Sequence, residues 1–160
     1  MAEPVSDELS RLCWEQSRCS NCMSCIVVCA ERHTGASAPA RSRIRIYAGL
    51  FDGSVAAEYC RQCPDAPCAA ACPVEAISID AQHRIWRVDE GLCMGCGECV
   101  EACPYRAIHL DSQTSVAVKC DLCLGAARCV EICPTGALKL VALSPSPECS
   151  EESAKNPGSA

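Results

Sequence analysis

The strongest constraint on this chain is the placement of its cysteines. Eighteen of its 160 residues are cysteine. Sixteen of them fall into four groups of four: Cys19, Cys22, Cys25 and Cys29; Cys60, Cys63, Cys68 and Cys72; Cys93, Cys96, Cys99 and Cys103; and Cys120, Cys123, Cys129 and Cys133. Groups one and three read C-x2-C-x2-C-x3-C, the second widens the middle gap to x4, and the fourth widens it to x5. Proline follows the last cysteine in three groups (Pro73, Pro104, Pro134), whereas Ala30 stands there in the first. The pattern is a fourfold repeat of one local unit. Cys13 and Cys149 lie outside it and read as free thiols.

The remaining composition leaves little else to hold a fold together. The apolar fraction of 49% counts cysteine, and aromatics are 4%. A core of aliphatic side chains alone is therefore a weak anchor for a chain of this length. The cysteines must be used in disulfides, zinc sites, iron–sulfur clusters or thiol chemistry. The first ten residues are acidic with no apolar core, no secretion signal is visible, and no uncharged apolar run is long enough to cross a membrane. These features lead us to expect a cytoplasmic chain without membrane insertion, where disulfides are disfavoured. Zinc sites show two CxxC pairs separated by a longer loop, not four cysteines within so short a span. The C-x2-C-x2-C-x3-C-P run suits a 4Fe-4S cube, in which three close thiolates wrap one face and the fourth cysteine of the run serves the other cluster. Four such groups predict four 4Fe-4S clusters, with iron held by the same sixteen cysteines.

The intervals repeat as well. Cys72, Cys103 and Cys133 are each followed by Pro, two variable residues, Ala, and then alternating aliphatic residues, a pattern that predicts a short strand. Return strands are expected over 84–88 and 115–118, with Trp86 in the core, and a short helical turn near 97–102. Gly95 and Gly97 suit close backbone approach to a cluster or ordinary turns. Residues 33–40 read as a loop, residues 43–47 as a strand with Ile44 and Ile46 on one face, Asp52-Gly53 as a turn, and 54–59 as the return strand. Leu12 and Trp14 either cap the fold or touch a partner. The segment beyond Leu143 reads as loosely held.

The charge of −6 argues against a nucleic-acid partner. Arg32, Arg41, Arg43 and Arg45, beside His33, read as a solvated face or as a docking surface for a partner protein. His33, His83 and His109 stand apart in sequence, and no catalytic set is assignable. His109 is expected to be structural or exposed and His83 a turn residue. A purely structural use of so many clusters is disfavoured.

These four motifs resemble the polyferredoxin electron-transfer subunits that carry four 4Fe-4S clusters in molybdenum and tungsten oxidoreductases, formate dehydrogenases, hydrogenases and carbon monoxide dehydrogenases. The resemblance spans roughly 18–143. It implies an α+β fold of two pseudo-symmetric bacterial dicluster ferredoxin-like modules with short hairpins and short helices. An outer module would comprise 18–35 and 112–143, and an inner module 60–111. An N-terminal extension (1–17), an arginine-rich hairpin insert (36–59) and a flexible tail (144–160) would complete the chain. The implied ligand sets are nested: Cys19, Cys22, Cys25 and Cys133 at site 1; Cys29, Cys120, Cys123 and Cys129 at site 2; Cys60, Cys63, Cys68 and Cys103 at site 3; Cys72, Cys93, Cys96 and Cys99 at site 4. The implied role is a non-catalytic electron relay between a large metal-cofactor catalytic subunit and a flavin subunit or ferredoxin. The compact size and the arginine-rich insert are most similar to the small subunit of bacterial tungsten aldehyde oxidoreductases. The alternatives are a free-standing polyferredoxin, or a subunit of a carbon monoxide dehydrogenase, hydrogenase, formate dehydrogenase or benzoyl-CoA reductase complex.

Overall fold

The structure, a computed structural model, describes residues 10–49 and 51–142. Within each cysteine group the backbone repeats one conformation. The second residue after the first cysteine is left-handed in every group: Asn21, Gln62, Gly95 and Leu122. So is the second residue before the third cysteine: Met23, Ala66, Gly97 and Ala127. Only the third group uses glycine at both places. Elsewhere the conformation is imposed on residues with a Cβ, at a cost of about 1–2 kcal/mol each. Each second left-handed residue starts a helix: α1 (Ser24–Thr34), α2 (Pro67–Ala70), α3 (Glu98–Ala102) and α4 (Arg128–Glu131).

Proline decides how far each helix runs. In groups two to four the last cysteine precedes a proline, which disfavours helical backbone at the residue before it. There α2, α3 and α4 stop after four or five residues. Ala30 imposes no such stop, and α1 continues for 11 residues to a left-handed cap at Gly35, whose N–H donates to Glu31 O. The loop expected from His33 therefore begins two residues later and contains a 3-10 turn at Pro39–Arg41. After Pro73, Pro104 and Pro134 the chain makes a tight turn. Glu75, Arg106 and Gly136 are left-handed and donate their N–H to the carbonyls of Cys72, Cys103 and Cys133 at 3.2–3.3 Å. The next residue is the repeated alanine, and Ala76, Ala107 and Ala137 are each buried.

Strands follow as the alternation predicts. The described residues form an α+β fold of small duplicated units, with four two-stranded antiparallel sheets. Strand β4 (Ile77–Asp80) pairs with β5 (Ile85–Val88), and β6 (His109–Leu110) with β7 (Ala117–Val118). The second return strand is shorter than expected because Ser115 is left-handed and belongs to the turn. In the insert, β2 (Arg45–Ala48) pairs with β3 (Val55–Glu58), and Ile44 and Ile46 are both buried. Strand β8 (Leu138–Ala142) pairs with β1 (Ser10–Trp14). Leu12 and Trp14 thus cap the core from the N-terminal side and are buried. Helix α1 packs on α4 and α2 on α3, so the outer and inner motifs pair separately.

Much of the arginine-rich segment is paired within the chain, while Arg32 remains on the solvated face. Arg41 Nε bonds Asp111 at 2.7 Å, Arg43 bonds Asp121 at 2.8 Å, and Arg45 lies 3.9 Å from Glu58. Arg41 and Arg43 thus pin the insert to carboxylates outside it, whereas Arg45 and Glu58 pair across the insert's own hairpin. Arg41 holds the Asp111 carboxyl well below the usual carboxylate range, helped by the N–H groups of Gln113 and Thr114. Cys13 is disulfide-bonded, which corrects the free-thiol expectation for that residue. Cys149 and the tail lie outside the described residues.

Two stability measurements follow from these contacts. Arg41→Gln strips the charged donor from a buried carboxylate and should cost about 2 kcal/mol in chemical denaturation. Arg32→Gln, at an exposed position, should cost little. Gly95→Ala would place a methyl 2.4 Å from Ser115 O, whereas Gly35→Ala meets nothing within 4 Å. Both carry the left-handed penalty of about 1 kcal/mol, so Gly95→Ala should lower the melting temperature distinctly more.

Candidate iron–sulfur sites

The local repeat brings the thiols inward in sets drawn from two motifs. One cavity is lined by Cys60, Cys63, Cys68 and Cys103, a second by Cys72, Cys93, Cys96 and Cys99, and a third by Cys19, Cys22, Cys25 and Cys133. Their empty volumes are alike, about 340, 320 and 340 Å³. Three thiols come from one motif and one from its partner in each case. The remaining four, Cys29, Cys120, Cys123 and Cys129, also gather. Burial pushes the Cys129 thiol up to about 12, with Cys29 and Cys123 adding to the rise. Burial likewise pushes Cys120 well above its ordinary value, with Cys60, Cys129 and Cys29 nearby.

The same chemistry governs the other sites. Burial, followed by neighbouring thiolates, raises Cys63 and Cys99 to about 11, and burial raises Cys25 equally. These buried thiols hold their protons until a cation arrives to replace them, whereas Cys22 and Cys133 at site 1 are lowered by hydrogen bonds from Ser24 and from the backbone of Leu138 despite the opposing effect of burial. Backbone N–H groups point at sulfur, as an anionic thiolate requires. Ala76 N donates to Cys72 Sγ at 3.2 Å, Ala107 N to Cys103 Sγ at 3.4 Å, and Ala117 N to Cys93 Sγ at 3.4 Å. Cys29, which lacks the proline turn, receives Arg43 N at 3.3 Å instead. Four thiols around a cavity, with donors aimed at sulfur, fit a 4Fe-4S cube. When bound, that group would supply one-electron chemistry.

The sites lie in series. Cys99 responds electrostatically to Cys68, Cys120 to Cys60, and Cys129 to Cys25. Sites 4 and 3, 3 and 2, and 2 and 1 are therefore neighbours. Gln62, fully buried, spans sites 3 and 2. Its Nε2 donates to Cys120 O at 2.9 Å and its Oε1 accepts from Trp86 N at 2.8 Å. Of the sixteen motif cysteines only Cys22 and Cys96 are exposed, one at each end of the series. Met94 and Leu92 are exposed near Cys96.

Two contributions were not legible from the motifs. His33, four residues after Cys29 on α1, lies 3.8 Å from Cys123 Sγ and 3.4 Å from Asp121. Burial, with Arg43 alongside, holds its imidazole below the ordinary value. The i, i+4 spacing from a ligand-type cysteine was the available signal. Lys119, beside Cys120, is buried and lines the site 3 cavity. The other histidines have simpler places. His83 bonds Asp80 at 2.8 Å in the β4–β5 turn, and burial pushes the imidazole of His109 down to about 4. No helix among the described residues is long and apolar enough to cross a membrane.

Comparison with known proteins agrees with this donor chemistry. Residues 51–143 match the 4Fe-4S dicluster domain, and residues 16–32 match a 4Fe-4S binding domain. The chain is 40% identical over 121 residues to the polyferredoxin-like subunit of an aliphatic sulfonate oxidoreductase from Pyrococcus furiosus, covering 74% of this chain and 69% of that protein. It is 38% identical over 132 residues to the beta subunit of an NADH-dependent phenylglyoxylate dehydrogenase from Aromatoleum evansii, covering 81% of this chain but 30% of that protein. A solved active-site complex of benzoyl coenzyme A reductase, BamBC, shares the fold. Its TM-score is 0.50 at 21% identity, covering 83% of this chain and 79% of the matched one. With more than half its length matched, the chain belongs to the 4Fe-4S dicluster domain family of iron–sulfur proteins.

Proposed function

We propose that this chain is an electron-transfer subunit that carries four 4Fe-4S clusters in a row and serves a larger oxidoreductase. The observation that carries the reading is the gathering of three four-thiol sets, each drawn from two motifs, around cavities of similar volume, with the most exposed cysteines, Cys22 and Cys96, in the first and fourth sets. Cys19, Cys22, Cys25 and Cys133 would hold the first cluster, and Cys29, Cys120, Cys123 and Cys129 the second. Cys60, Cys63, Cys68 and Cys103 would hold the third, and Cys72, Cys93, Cys96 and Cys99 the fourth. The protein's own part is ligation, spacing and donors to sulfur. Electrons would enter near one exposed end and leave near the other.

The relatives named above are subunits of different oxidoreductases, and neither name specifies tungsten. They support the broader alternative better than a tungsten aldehyde oxidoreductase alone. A partner with a tungsten or molybdenum cofactor remains the finer proposal. A flavin subunit is a natural second partner where NADH is the donor, since hydride carries two electrons and each cluster accepts one.

The chain purified anaerobically should hold about sixteen irons and as many sulfides after reconstitution. Cys96→Ser should lower the iron content by up to about four, the complement of one cube. Isolation from the native host should yield a large complex, in which metal analysis identifies the partner's cofactor. About eight irons, or zinc in their place, would refute the four-site reading. A monomer that retains all its clusters and co-purifies with nothing would favour a free carrier.

A further inference from the structure

The four sites are not electrostatically equal. The cavities of sites 4 and 1 are lined by no charged side chain among the described residues. The cavity of site 3 is lined by two cations, Arg61 and Lys119. Lys119 is only 2% exposed. Its Nζ donates to Trp86 O, and it forms no ion pair among the described residues. On its other side a polar groove carries Asp89, Glu90 and Asp121. Those acids have other partners: Asp121 and Glu90 pair with Arg43 at 2.8 and 3.6 Å, and Asp89 accepts from Gly91 N at 2.9 Å. Arg61 is held in place by stacking 4.1 Å over the Tyr59 ring and 5.6 Å from that of Tyr105. At site 2 Arg43 is paired with Asp121, and Arg32, which acts on Cys123, is exposed to water that screens its charge.

A buried cation without a carboxylate is costly unless an anion lies beside it. A cube with four thiolates is such an anion, and its negative charge grows by one on reduction. A fixed positive charge therefore favours the reduced form more than the oxidised one. We propose that Lys119, assisted by Arg61, makes site 3 the most readily reduced of the four, so that the first electron entering the fully oxidised chain rests there. The step is one electron supplied by a low-potential donor such as dithionite, with no bond made or broken and no proton moved. The inference rests on the four-cluster reading. It places an electron reservoir inside the row, next to the Gln62 bridge.

The test uses the full-length, iron-loaded chain, with each cluster's reduction followed by electron paramagnetic resonance at controlled potential. Lys119→Met should make the highest-potential step harder. At the wild-type midpoint its reduced-to-oxidised ratio should fall at least tenfold, equivalent to 59 mV for one electron. Lys119→Arg, which keeps the charge, should stay within threefold of wild type. Arg61→Gln should move the same step in the same direction. An unmoved highest-potential step in Lys119→Met at full iron content overturns the proposal, as does an equal fall in Lys119→Arg. Should Lys119→Met fail to load its iron, an unmoved step in Arg61→Gln overturns it. About eight irons in the wild-type chain would instead remove the four-cluster reading beneath it.

Discussion

The rest of the structure depends on sixteen thiols brought together, several of them so buried that they resist ionising alone. Burial and mutual repulsion drive Cys25, Cys63, Cys99 and Cys129 to about 11 or 12. An iron–sulfur core would resolve that frustration by supplying the positive charge, which would couple cluster binding to folding. The chain has little else to fold on. Its main buried cluster contains four of the motif cysteines beside Leu12, Trp14, Ile44 and Tyr59.

The left-handed residues express the same dependence in the backbone. Asn21, Met23, Gln62, Ala66, Leu122 and Ala127 are held in a conformation that glycine adopts freely. They tolerate it because the turn they create points cysteine sulfurs at one centre. Gly95 and Gly97 show the unstrained solution in the third motif. The proline turns after Cys72, Cys103 and Cys133 then send the chain into a strand, and after the first two a backbone donor is left aimed at sulfur. Where proline is missing, α1 runs on and delivers His33 to the second site, and the insert supplies Arg43 N in place of the turn's donor.

The insert also illustrates how charge is distributed. Arg41, Arg43 and Arg45 satisfy Asp111, Asp121 and Glu58 within the chain. That leaves Lys119 as a buried cation free to act on a neighbouring site. Paired charges stabilise position and largely cancel at a distance, whereas an uncompensated one retains its field.

Spacing alone determined the chemistry of the motifs, the strands that follow three of them, and the hairpin of the insert. These are local properties, set by proline, by period-two alternation and by ligand reach along a few residues. Only the tertiary structure decided the rest. The pairing of β1 with β8, the placement of Arg41 and Arg43 on distant carboxylates, His33 against Cys123 and the burial of Lys119 all join residues far apart in the chain. Their partners are chosen by packing and desolvation, which carry no periodic signal. A lysine next to a cysteine reads the same whether it faces water or a cavity, and burial alone makes the difference.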